Sequence, residues 1–236
     1  MKFILYLIIL WGVRLMITLR KSEARGHFNL GWLETRHTFS FADYYDPNHM
    51  GFRKLRVINQ DIVEPQRGFA PHQHDNMEIV TYVIRGEITH NDSMGNKVVI
   101  KPNEIQRMSA GTGITHSEHN RSDDILELLQ IWILPDQKNI TPSYEQIAFT
   151  PPHNNLLEHS LGIHQDVKIF TGCLDENQQL DYMINKNRHA WIQLISGQID
   201  INHNRLEIGD GAAISDEDKL DIKSYQKSHF LLFDLA

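Results

Sequence analysis

Short apolar runs alternate with turn residues along most of the chain. Between Leu55 and Leu134 the segments LRVI, EIVTYVI, KVVI, IQRMSA and ILELLQIWIL recur at strand length and are rich in Val, Ile, Thr and Tyr. Asp61, Arg85-Gly86, Asn91-Asp92-Ser93, Met94-Gly95-Asn96, Pro102-Asn103 and Gly111-Thr112-Gly113 separate them, the residue types that turns select. No helical period extends far enough for a major helix. The pattern predicts an antiparallel sandwich or barrel.

The second half repeats this pattern more weakly. VIRGEITHND, Val83 to Asp92, aligns with LISGQIDINHN, Leu194 to Asn204, through Gly86 and Gly197. Each glycine is followed by an apolar strand, a polar turn and another strand closing on Pro102-Asn103-Glu104 or Ile208-Gly209-Asp210. A duplicated β domain follows, with residues 16–140 and 141–236 as its halves. The Pro-, Asn- and Thr-rich stretch from Pro135 to Asn155 reads as the connection, and His153 to Gly162 as one short helix.

Composition narrows the function classes. The chain has 236 residues, 41% of them hydrophobic, enough to bury a core in each half. A formal charge of −7 without any Lys/Arg block argues against direct nucleic-acid binding. Cys173 is the single cysteine, so no intrachain disulfide forms, and the default compartment is the reducing cytoplasm. Residues 1–15 stand apart. MKFILYLIILWGV has the length of a signal-peptide core and is too short to span a bilayer unless extended through Leu19. Three readings compete: a start codon set too early, with Met16 as the true start; an export signal cleaved near Ser22-Glu23-Ala24; or a membrane anchor.

Candidate chemistry lies in two pairs of donor residues. In FAPHQHDNME, His72 and His74 stand two residues apart, so on a strand they project from one face. In MSAGTGITHSEHN, His116 and Glu118 have the same spacing, while His119 has the opposite parity. If the two strands are neighbours, three imidazoles and one carboxylate converge. That set suits a borderline divalent metal such as iron(II), copper(II), nickel(II), manganese(II) or zinc(II), with positions left for exchangeable ligands. A closed structural zinc site would be richer in thiolates. Taken singly, a His-x-His pair among fourteen histidines is more often a surface pair than a ligand pair. The second pair at equal spacing shifts the balance towards metal.

Several blocks resemble a family. Gly68-x3-His72-x-His74-x3-Glu78, followed by Gly111-x-Gly113-x2-His116-x3-Asn120, is similar to the two cupin motifs in the variant carried by pirin and bacterial pirin-like proteins. HTFSFADYYDPNHMGF, LRVINQD, DSMGN, ITPSYEQ and the closing LLFDL strengthen the likeness to the quercetinase-type members. The resemblance spans about residues 16–236. It implies an all-β bicupin of two jelly-roll-like barrels, monomeric, with one metal in the first barrel held by His72, His74, His116 and Glu118. Iron(II) leads, with Cu, Ni, Mn, Co or Zn as alternatives. Glu78 is then not a ligand. The second barrel lacks the donors: Met183 and Asn185 fall where the first pair belongs, and Asp216, Glu217 and Asp218 read as a solvated turn.

The implied activity is a dioxygenase that opens a flavonol ring with O2 and releases carbon monoxide. Glu118 is the candidate base for the flavonol hydroxyl. Phe69, Met77, Phe39, Phe41 and Tyr45 are candidate walls for a flat aromatic substrate, although each alone is as compatible with core packing. The same resemblance offers an alternative, a redox-sensing regulator whose metal tunes affinity for a protein partner. A zinc or manganese isomerase fits the ligands but not the pirin-type blocks.

Overall fold

The computed structural model describes residues 16–236; the apolar start, with its competing readings, lies outside the described residues. In the first half the strands are β1 (Ile17–Arg20), β2 (Gly26–Asn29), β3 (Leu33–His37), β4 (Leu55–Val63), β5 (Gly68–His74), β6 (Glu78–Arg85), β7 (Ile88–Asp92), β8 (Lys97–Ile100), β9 (Glu104–Ser109), β10 (Ile114–His119), β11 (Leu126–Ile133) and β12 (Ser143–Ala148). The second half adds β13 (Asn155–His159), β14 (Val167–Leu174), β15 (Gln179–Met183), β16 (His189–Ser196), β17 (Ile199–Ile201), β18 (Asn204–Leu206), β19 (Gly211–Ile214), β20 (Lys219–Ser224) and β21 (Ser228–Leu235). One 3-10 turn, Ser22–Ala24, completes the regular structure of the described residues.

Two β barrels result, each of two sheets. The first closes a seven-stranded sheet, β12-β9-β6-β11-β4-β3-β2, over a four-stranded one, β5-β10-β7-β8. The second closes β1-β19-β16-β21-β14-β13 over β15-β20-β17-β18. All pairings are antiparallel, as the strand-length runs require.

The apolar alternation assigns each face. On β11, Leu126, Leu128, Gln130 and Trp132 point one way, while Leu129, Ile131 and Ile133 point the other and join a buried cluster with Phe39, Trp191 and Phe233. On β16 and β21 the same division separates Ile192 and Leu232, inside the second barrel, from Trp191 and Phe233, which face the first. The central strand β6 therefore reads as a near-continuous apolar run because both of its faces are covered. The larger sheets pack together, and the core between them joins the two halves.

Both hinge glycines of the internal repeat sit where expected. Gly86 and Gly197 have φ of 75° and 84° and close the turns between β6 and β7 and between β16 and β17. A Cβ on Gly86 would lie 2.7 Å from the Ile125 carbonyl oxygen, so backbone conformation and space both demand glycine there.

The structure corrects three expectations. The cut at 140/141 does not follow the sheets: β1 pairs with β19 and belongs to the second barrel, whereas β12 pairs with β9 in the first. Each segment covers an edge that would otherwise expose unpaired backbone groups. The stretch expected as a short helix contains β13, paired along β14, because five residues gain more from a sheet edge than from an isolated helical turn. Asp61, read as turn punctuation, lies inside β4 with its side chain buried. Among the described residues no helix is long and apolar enough to cross a membrane.

Candidate metal centre

β5 and β10 are hydrogen-bonded neighbours, with His116 directly opposite His72 and Ile114 opposite His74. The shared strand spacing thus becomes convergence. The ring centroids of His72, His74 and His116 lie 4.4–4.9 Å apart, and one ligating nitrogen from each falls within 4.8 Å of the others. Glu118 approaches from the same face of β10, after a bulge between His116 and Glu118, and its carboxylate lies within 4.8 Å of a nitrogen on His116.

The donors are oriented by their surroundings. His72 Nδ1 lies 2.8 Å from the Ala70 carbonyl oxygen, which can only accept, so Nδ1 donates there and Nε2 is the ring atom left for a cation. His116 is 2% exposed, yet both ring nitrogens have no hydrogen-bond partner among the described residues. Burial, with the neighbouring imidazoles adding to it, pushes His74 down to about 4 and His116 down to about 3. Neutral imidazoles packed with unpaired nitrogens are costly as bare structure and fit a divalent transition ion. Glu118 is buried, accepts from the Gln130 side-chain amide at 2.9 Å and from the Thr81 hydroxyl at 3.3 Å, and so is fixed in direction.

One neighbour escaped the sequence reading. His90 on β7 lies directly opposite Glu118, is fully buried, and forms a second group with His116 and Glu118 whose ligating atoms also lie within 4.8 Å. Its Nε2 contacts Asp92 Oδ2 at 3.0 Å and therefore donates, leaving Nδ1 unpartnered. The only sequence signal was the His90-x-Asp92 spacing; the register that brings it to Glu118 is a tertiary fact. Glu78, by contrast, points elsewhere. It is buried, accepts from the Ser109 hydroxyl at 2.8 Å, and meets His164 at 3.3 Å.

A cavity of about 630 Å³ opens beside the donors, with His72, His74 and Glu118 in its wall. Phe41 and Phe69 line it, together with Phe28, Trp32 and Trp132, the last edge-on to His74 with centroids 5.0 Å apart. The other three wall candidates lie elsewhere. Phe39 is 2% exposed and packs on Trp191 in the core between barrels. Met77 packs with the Ile79 and Met108 cluster, and Tyr45 is 73% exposed. Strand parity could not separate these positions, because Phe39 and Tyr45 sit in the irregular segment between β3 and β4. The same cavity reaches Asn59 and Asp61 of β4 and Thr35 and His37 of β3. Burial pushes Asp61 up to about 6 and, with Arg25 adding to the effect, His37 down to about 4.

Comparison with known proteins follows this geometry. Residues 18–133 match the family model described as Pirin, and residues 154–235 match the quercetinase C-terminal cupin domain. A quercetin 2,3-dioxygenase of Escherichia coli O157:H7 is 48% identical over 228 residues, covering 93% of this chain and 99% of the relative. The chain belongs to the pirin family. A pirin-like protein of Caulobacter vibrioides is 35% identical over 232 residues, covering 94% of this chain and all of that one. The crystal structure of the bacterial pirin YhhW from Escherichia coli in complex with nickel(II) superposes with a TM-score of 0.90 at 46% identity, covering 93% of this chain and 99% of that one. This pirin is thus a bicupin, and among the described residues both candidate metal-binding groups lie in the first barrel.

Proposed function

We propose that this pirin is a metal-dependent dioxygenase that opens the heterocycle of a flavonol with O2 and releases carbon monoxide. The observation that carries the reading is the junction of three imidazoles and a fixed carboxylate with an aromatic-walled cavity of about 630 Å³. Such a volume lies within the range of small-molecule sites. The similarity to a quercetin 2,3-dioxygenase over nearly the full chain supports the same class.

His72, His74, His116 and Glu118 are the proposed ligands, and iron(II) the proposed ion, with copper, nickel, manganese, cobalt and zinc admitted by the same donors. When bound, the ion supplies Lewis acidity towards the flavonol oxygens and a fixed point for the substrate.

The chain's own residues do the rest. Phe41, Phe69 and Trp132 hold the flat ring system against the donors by stacking and edge contacts, and exclude water from the reacting face. Glu118 is the group placed to accept the proton of the flavonol 3-hydroxyl, which makes the ring electron-rich enough for attack by O2. Gln130 and Thr81 keep one carboxylate oxygen each engaged, so Glu118 can take the proton without swinging away from the cavity. Addition of O2 and loss of one ring carbon as carbon monoxide leave an ester of two aromatic acids, which balances all atoms.

The test is oxygen uptake and carbon monoxide release with quercetin by metal-loaded protein, compared with His74→Ala. Loss of turnover and of bound metal, with the far-ultraviolet circular dichroism unchanged, is the expected result. Equal turnover by the variant would overturn the proposal.

A further inference from the structure

The β3–β4 part of the cavity wall carries polar side chains that are not among the four proposed ligands. In the β3–β4 ladder His37 stands opposite Asn59 and Thr35 opposite Asp61, so the four side chains form two adjacent rungs on the inward face. Asn59, Asp61 and His37 are 3%, 4% and 5% exposed. Thr35 Oγ1, Asn59 Oδ1, Asp61 Oδ1 and His37 Nδ1 have no hydrogen-bond partner within 3.5 Å among the described residues, and all four residues line the cavity, with the Thr35 hydroxyl the donor nearest Asp61. Buried polar atoms are almost always paired, and one hydroxyl cannot serve all the others, so these atoms call for a ligand that completes them.

The chemistry of the missing partner follows from the atoms. Asn59 Oδ1 and Asp61 Oδ1 are amide and carboxylate oxygens, which only accept. A carboxylate or phosphate on the ligand would meet Asp61 unfavourably, and a bare hydrocarbon ring would leave every one of these atoms unpaired. A hydroxyl on an aromatic ring donates to such an oxygen and stacks on the flanking Phe28 and Trp32. The rungs lie on β3 and β4, across the barrel from the imidazoles on β5 and β10. Gln130, opposite Asn59 in the ladder, spans the gap by bonding Glu118. The cavity therefore carries polar groups on both sheets, with aromatic side chains elsewhere in its wall.

We propose that Asn59, Asp61 and His37 form a second recognition site, on the sheet facing the imidazoles, which takes the phenolic hydroxyls of the substrate other than the one at the metal. The site makes the enzyme selective for polyhydroxylated flavonols over flavonols that carry only the metal-facing hydroxyl. This inference rests on the flavonol reading and adds the basis of its specificity.

The experiment measures binding without turnover. Metal-loaded protein under argon is titrated with quercetin and with 3-hydroxyflavone, which lacks those other hydroxyls, while the fluorescence of Trp32 and Trp132 reports occupancy. The expected wild-type preference for quercetin is about 10- to 100-fold, the range of hydrogen bonds to a charged or buried acceptor. Asp61→Leu and Asn59→Leu each bring the ratio towards one and leave 3-hydroxyflavone affinity within about threefold. Asp61→Asn, which keeps an acceptor, retains part of the preference. Asn59→Leu removes no charge and serves if Asp61→Leu does not fold. A wild-type ratio near one, or a ratio unchanged in the folded variants, overturns the second site while the flavonol reading stands. Failure of the wild-type protein to bind either compound overturns both.

Discussion

Gln130 on β11 and Glu118 on β10 meet across the interior of the first barrel, with the Gln130 amide donating to Glu118 Oε2 at 2.9 Å. The contact ties the sheet that packs on the second barrel to the strand that carries the candidate ligands. Outer partners of a ligand carboxylate commonly set metal affinity or activity by about 10- to 100-fold. Gln130→Leu should therefore weaken metal binding by that order, read by competition with a chelator of known affinity.

Phe39, near the cavity in sequence terms but not in space, gives a separate prediction. Its ring lies 5.1 Å from that of Trp191 in the core between the barrels. Phe39→Ala should cost about 3–5 kcal/mol in urea unfolding and leave metal affinity unchanged. Because the buried cluster around it draws residues from both halves, the two barrels should still unfold in one transition.

Gly86 and Gly95 both have positive φ, 75° and 95°, but differ in surroundings. A Cβ on Gly95 meets nothing within 4 Å, whereas one on Gly86 meets backbone at 2.7 Å. Gly95→Ala should cost only the left-handed penalty, about 1 kcal/mol. Gly86→Ala should cost about 2–4 kcal/mol as the ladder between the turn and Ile125 shifts. Denaturation midpoints of the two variants side by side decide this.

His159, far from the metal centre, predicts part of the pH dependence. It is buried, pairs with the Thr171 hydroxyl at 2.8 Å, and burial pushes it down to about 4. The unfolded side chain titrates near 6.5, so between pH 6.5 and 4 the unfolded state takes up a proton that the folded state refuses. Its contribution is fully present above about pH 6.5 and is lost as pH falls towards 4, by roughly 2 kcal/mol. His159→Gln should flatten the fall in thermal midpoint between pH 7 and pH 5. An unchanged slope would mean that His159 is already protonated in the native state.

The sequence alone carried the β class, the turn glycines and two pairs of candidate donors at i,i+2 spacing, and its pirin-type blocks added the doubled barrel. The class, the glycines and the pairs follow from local rules: strand periodicity, the backbone demands of glycine, and the fact that residues i and i+2 share a face. The tertiary structure decided the rest. His90 joins Glu118 only through the β7–β10 register, Phe39 leaves the cavity because the barrels pack through it, and β1 crosses to the second barrel to cover an edge. Asp61 changed role most. An aspartate in a polar stretch looks like a turn, and only pairing on both sides of β4 makes it a buried acceptor facing a cavity. Register between distant strands is set by the packing of whole sheets, so no short window of residues encodes it.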